Sequence, residues 1–165
     1  MKRIGLLSDT HGHLDEALLK HLQECDEIWH AGDIGNISTL DRLKEFKTVK
    51  AVYGNIDGQD IRVVCPEVQI FMCEEVKVLM THIGGYPKRY APGIKSLLLK
   101  HKPKLFISGH SHILKVMNDQ NLKILHMNPG AAGNSGFHKH ITMLRFTIDK
   151  DIIKDLEVFD LKRRD

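Results

Sequence analysis

Short apolar runs that stop on a polar residue dominate the first third of the 165-residue chain. Ile4 to Leu7 runs into Ser8-Asp9, Ile28 to Ala31 into Gly32-Asp33, and Ala51 to Tyr53 into Gly54-Asn55. Compact apolar runs bounded by turn formers fit buried strands. Between them the period lengthens. Leu14, Leu18, Leu19 and Leu22 fall at helical spacing, with Asp15 and Glu16 where the dipole of a first turn favours acids. From Asn36 to Phe46, the residues Ile37, Leu40, Leu43 and Phe46 recur every three positions with charges between them, which predicts a second helix. A third strand is expected over Val49 to Gly54, and right-handed crossovers make these first strands parallel.

Beyond Pro66 the rhythm changes. Glu67 to Met72 and Val76 to Thr81 read as a hairpin joined by Cys73-Glu74-Glu75, and a helix is expected from Gly93 to His101, between Pro92 and Pro103. A strand running into His110 follows, then strands over Leu114 to Met117, Leu122 to His126, Ile141 to Ile148 and Ile152 to Phe159. Asp119-Gln120-Asn121 and Asp149-Lys150 supply turn chemistry between them. So many strands overfill one twisted sheet, so the pattern predicts an α/β protein built as a two-sheet sandwich flanked by helices. Trp29 and the Leu97-Leu98-Leu99 run read as packing.

Composition narrows the class. A chain of this length suits a single domain over 1–165, and 42% apolar with 27% charged residues is ordinary for a globular protein. No apolar stretch approaches the roughly 20 residues that cross a bilayer, and Ile4 to Leu7 is too short for a signal peptide, so a cytoplasmic location without membrane contact is expected. Cys25, Cys65 and Cys73 are odd in number and scattered, which argues against a disulfide framework. The formal charge of +3 is mild, and the basic residues are dispersed apart from Lys88-Arg89 and Lys162-Arg163-Arg164. No strong nucleic-acid surface is implied.

The polar residues that end the apolar runs carry the chemistry. They are Asp9 and His11, Asp33, Asn55, His82, and His110 with His112. Residues two apart in an extended segment face the same side, so each Asp-x-His or His-x-His pair can address one centre. Two carboxylates, one amide oxygen and four imidazoles are too many for one tetrahedral zinc. They suit two ions about 3.5–4 Å apart that share a carboxylate, with Asp33 as the natural bridge. His30, just before Gly32-Asp33, is a candidate to orient a ligand. Asp57, Lys88 and Arg89 are candidate substrate contacts, the two cations because their loop follows His82 and can steer phosphate. His13, His21, His101, His126, His138 and His140 are read as surface or packing residues.

Taken in order, Asp9-Thr10-His11, Gly32-Asp33, Gly54-Asn55-Ile56-Asp57, His82 and Gly109-His110-Ser111-His112 resemble the pattern of the calcineurin-like metallophosphoesterases, specifically the small bacterial and archaeal phosphodiesterases. The resemblance runs from Asp9 to about Gly133 and implies a four-layer α/β/β/α sandwich of two mixed sheets. It implies that Asp9, His11, Asp33 and His112 hold one divalent ion and that Asp33, Asn55, His82 and His110 hold the other. Catalytic roles fall to Asp33, Asn55 and His82. Manganese is the ion the family points to first, with zinc, iron, nickel or cobalt as substitutes.

The implied activity is hydrolysis of small phosphodiesters by in-line attack of a hydroxide bridging the ions. A homo-oligomer, dimer or tetramer, is implied as well. Ile56 departs from the pattern, since many members place there a histidine that contacts substrate. Asn128-Pro129-Gly130-Ala131 matches an element that shapes the site. Two alternatives stand beside this reading: a non-catalytic protein-binding scaffold on the same fold, and a phosphomonoesterase.

Overall fold

The computed structural model describes residues 1–164. Strand β1 (Lys2–Leu7) leads through α1 (Glu16–Leu22) to β2 (Glu27–His30), and α2 (Ile37–Phe46) leads to β3 (Thr48–Ala51). The three strands are parallel neighbours, with Leu6 beside Trp29 and Trp29 beside Lys50. Asp15 caps α1 by accepting from the Ala17 N–H, and Asn36 caps α2 by accepting from the Thr39 N–H. β3 ends earlier than its apolar run suggests. The Val52 N–H still reaches the His30 carbonyl, but the Tyr53 N–H turns away to Pro66.

A short helix, α3 (Gln59–Arg62), then precedes the hairpin of β4 (Val68–Cys73) and β5 (Val76–Thr81). A second, very small hairpin follows, β6 (Gly85–Tyr86) with β7 (Arg89–Tyr90), and then α4 (Ile94–His101). The remaining strands are β8 (Leu105–Ile107), β9 (Leu114–Asp119), β10 (Ile124–Pro129), β11 (His140–Asp149) and β12 (Ile152–Lys162).

They form two mixed five-stranded sheets, ordered β12-β11-β1-β2-β3 and β4-β5-β8-β10-β9. Between the sheets lies the main core, where Ile4, Leu6, Trp29, Val78, Met80, Ile107, Met127 and Phe146 are fully buried. Trp29 is edge-on to Phe71 and Phe146, and its Nε1–H donates to Glu27. The outer face of the first sheet is covered by Leu18, Leu19 and Leu22 of α1 and Leu43 of α2. Ile94 and Leu98 of α4 cover Leu79 and Phe106 of the second. The architecture is therefore helix, sheet, sheet, helix, each layer burying one apolar face.

All three cysteines are buried and unpaired. Among the described residues no helix is long and apolar enough to cross a membrane.

Candidate metal centre

Five parallel strands from two sheets deliver their C-terminal loops to one place. β1 and β2 carry Asp9 and Asp33, β3 carries Asn55, β5 carries His82, and β8 carries His110 and His112. The loops are tied to one another through the backbone: Asp9 N–H to Gly32 O (2.9 Å), His11 N–H to Asp33 O (3.0 Å) and Gly109 N–H to His82 O (2.9 Å). Gly32 and Gly54 permit this closeness. A Cβ on Gly32 would lie 2.7 Å from His82 Nδ1, and one on Gly54 would strike the Asp33 carboxylate.

Two groups result, Asp9 with His11 and His112, and Asp33 with His82 and His110. Asp9 uses Oδ2 to accept from Ser8 Oγ (2.6 Å) and the His110 N–H (3.1 Å), which turns Oδ1 toward the imidazoles. His112 Nε2 stands 3.2 Å from that oxygen and His11 Nε2 3.8 Å. Asp33 uses Oδ1 to accept from the Ile56 N–H (3.1 Å), which frees Oδ2. Oδ2 lies 3.4 Å from His11 Nε2 in one group and 3.2 Å from His82 Nε2 in the other. His82 donates Nδ1–H to the Ala31 carbonyl at 2.7 Å, so Nε2 presents a lone pair to the two carboxylates. Asn55 Oδ1 is 3.1 Å from His110 Nδ1.

The donor set fits divalent cations. Asp9 Oδ1, His11 Nε2 and His82 Nε2 are buried without a hydrogen-bond partner. Lone pairs aimed at lone pairs repel unless a cation lies between them. The separations also suit the purpose, because ligand bonds of about 2.0–2.2 Å leave neighbouring donor atoms roughly 3–3.5 Å apart. The site's electrostatics agree. Burial pushes the Asp9 carboxyl up, but the imidazoles of His11, His112 and His82 and the Ser8 hydroxyl outweigh it and hold the group well below the usual carboxylate range. Asp33 is likewise lowered, with His82 overcoming burial. His11 is raised, chiefly by Asp9. His82 is raised too, since Asp33 and Asp9 outweigh its burial.

The other candidates fall in different places. His30 is fully buried and joins two of the ligand loops. Its Nε2 is 2.9 Å from Thr10 Oγ1, which donates onward to Ile34 O, and its Nδ1 accepts from the Gly32 N–H. Burial pushes its imidazole down to about 4, so it stays neutral. Asp57, a candidate substrate contact, braces the loops. It is buried, and its two oxygens accept from the N–H groups of Gly54, Ile34 and Gly35.

Lys88 and Arg89 are the other two candidate substrate contacts. The small β6–β7 hairpin carries them into a surface depression shared with Tyr90, Lys95, Ser96 and Asp119, and none of the seven proposed ligands lines it. Asn128 braces the loop of His110, donating to Gly109 O and Ser111 Oγ at 3.1 Å each.

One cation beside the centre is not apparent from the pattern. Arg62 on α3 donates Nε–H to Asp57 O (2.7 Å) and lies over the Tyr53 ring, 4.5 Å from its centroid. It lines a cleft of about 230 Å³ together with Asn55, Glu67, His82 and Ile83. The only signal was the four-residue spacing of buried Ile61 and Cys65, one helical turn.

Residues 1–151 match the calcineurin-like phosphoesterase superfamily domain. The chain belongs to that superfamily. Membership places it among metal-binding phosphoester hydrolases. A probable metallophosphoesterase of Methanocaldococcus jannaschii is 31% identical over 134 residues, 78% of this chain and 67% of its own length. Two solved structures share the fold. Vps29 of Entamoeba histolytica, crystallised with Zn²⁺, superposes with a TM-score of 0.77 at 14% identity, covering 97% of this chain and 98% of its own. The phosphoesterase YfcE of E. coli superposes at 0.61 and 19% identity, covering 94% and 98%.

Proposed function

We propose that this calcineurin-like phosphoesterase is a two-ion phosphodiesterase acting on small phosphodiesters. Manganese is the resident ion, and zinc, iron, nickel or cobalt can replace it. The observation that carries this reading is the position of Asp33 Oδ2, within 3.4 Å of an imidazole from each of the two groups. In this reading Asp9, His11, Asp33 and His112 would hold one ion, and Asp33, Asn55, His82 and His110 the other. A bound ion pair supplies a hydroxide nucleophile near neutral pH and neutralises charge on the phosphate.

The remaining work falls to the chain. Hydrogen bonds from Ser8, His110 N–H and Ile56 N–H fix which carboxylate oxygen of Asp9 and Asp33 faces the centre. The Ala31 carbonyl fixes the His82 tautomer. Arg62, tethered to the segment of Asn55 to Asp57, offers a guanidinium to a phosphate oxygen in the cleft. Ile56 has no proton to give, so leaving groups that depart as stable anions are favoured over poor alkoxides.

The test is to strip the protein with a chelator, restore each divalent ion in turn, and assay a nitrophenyl phosphodiester beside the corresponding monoester. The expected result is manganese-restored hydrolysis, faster on the diester. A faster monoester would make the protein a phosphomonoesterase. Hydrolysis of neither, with ions demonstrably bound, would favour a protein-binding scaffold, a reading whose support is the fold shared with Vps29.

A further inference from the structure

Large exposed apolar residues neighbour the proposed ligands along the chain. Ile56 follows Asn55, Ile83 follows His82 and Ile113 follows His112, and these isoleucines are 47%, 48% and 60% exposed. Phe137 is wholly exposed. It stands between two residues that crowd His112. A Cβ on Gly136 would lie 2.7 Å from His112 Nδ1, and the His138 ring meets His112 edge-on with centroids 5.1 Å apart. Single exposed apolar residues are common on protein surfaces, but several around one polar site mark a place where something apolar binds. A centre that handled only inorganic phosphate or hydrophilic esters would have no use for them.

Their distribution is two-sided. Ile56 and Ile83 follow Asn55 and His82, the proposed holders of one ion, while Ile113 follows His112 of the other group and Phe137 stands between Gly136 and His138, which pack against His112. The cleft beside Asn55 and His82 has Ile83 and Tyr53 in its lining and a volume of about 230 Å³. That is below the range of pockets for drug-sized ligands and suits a single ring better than a peptide segment.

We infer that these four side chains form an apolar collar that binds the organic substituents of the phosphoester. The protein then prefers esters of aromatic or similarly apolar alcohols to esters of small hydrophilic ones. This inference rests on the phosphoesterase reading of the same centre. A diester presents an organic group on either side of its phosphorus, which is how the collar is divided. Half-burying a phenyl ring in place of a methyl group tightens binding about tenfold.

Calorimetric titration of the manganese-loaded protein with methylphosphonate, phenylphosphonate and 1-naphthylphosphonate, at a pH where all are dianions, tests this without turnover. The expected result is phenyl binding about tenfold tighter than methyl, naphthyl at least as tight as phenyl, and a phenyl-to-methyl ratio that falls threefold or more in the double variant Ile83→Ser with Ile113→Ser. Equal binding of methyl and phenyl, or a ratio that survives both substitutions, overturns the collar and leaves the phosphoesterase reading standing. Failure of every phosphonate to bind the loaded protein removes both. A change in solution mass on substitution, with the ratio unchanged, would make the collar a contact between protein copies and overturn the inference.

Discussion

Five of the seven proposed ligands hold a backbone that side chains usually avoid. Asp9, His11, Asp33, His110 and His112 have φ of 56°, 47°, 55°, 71° and 61°. A left-handed residue other than glycine costs about 1–2 kcal/mol, and such strain persists only where surrounding contacts overdetermine it. Here those contacts are the loop-to-loop hydrogen bonds. His110→Gly relieves one strained position at an exposed residue, so the metal-stripped variant should gain about 0.5–1 kcal/mol in urea unfolding while its manganese affinity drops. His30→Ala acts in the opposite sense. It leaves the Gly32 N–H without an acceptor in a fully buried setting and opens a cavity, so a loss of about 3 kcal/mol is expected. Calorimetry should also show manganese binding roughly 10–100-fold weaker, because the loops of Asp9 and Asp33 lose their cross-brace. The ligand types were readable from the sequence, but the sign of φ was not, since Asp and His populate both hands.

At the scale of elements, the long periodic segments were readable and the short ones were not. The leucine spacing of α1, the three-residue rhythm of α2 and the apolar runs of β1 and β5 each span enough residues to show a period. The four-residue α3 and the two-residue strands β6 and β7 do not. That gap left the place of Lys88 and Arg89 unread: the hairpin carries them into a depression that none of the seven proposed ligands lines. It also hid Arg62. Asp57 shows the same limit, because a carboxylate after Gly54-Asn55-Ile56 reads as a candidate substrate contact, while the three backbone N–H groups it collects come from loops the local pattern does not join. Asp57→Asn puts an amide N–H₂ against backbone donors, and should cost about 1–3 kcal/mol in chemical unfolding. It should also weaken metal binding, since the loops after β2 and β3 part.

Across the whole molecule, protons and ions compete for one centre. His11 and His82 are raised in the metal-stripped protein, so their contribution to stability is complete below the ordinary imidazole value and disappears as pH climbs through the raised one. Asp9 and Asp33 are lowered, so theirs is present above the ordinary carboxylate value and disappears as pH falls through the lowered one. The stripped protein should therefore be most stable at mildly acidic pH. Metal binding needs the imidazoles neutral, so the gap in melting temperature between loaded and stripped protein should widen from about pH 6 to pH 8. Manganese at a thousand times its dissociation constant should add about 4 kcal/mol at the upper end. Thermal melts with chelator and with manganese across that range check the sign, and a gap that narrows with pH would contradict the assignment of these imidazoles as ligands.

The sequence by itself determined the layered α/β character, the strand ends and the chemical types that gather there, because apolar period and ligand identity are written locally. Only the tertiary structure decided which carboxylate oxygen faces which imidazole and which backbone groups His30 and Asp57 tie together. Those properties depend on loops from two separate sheets meeting in space, and no window along the chain contains both sides of such a contact.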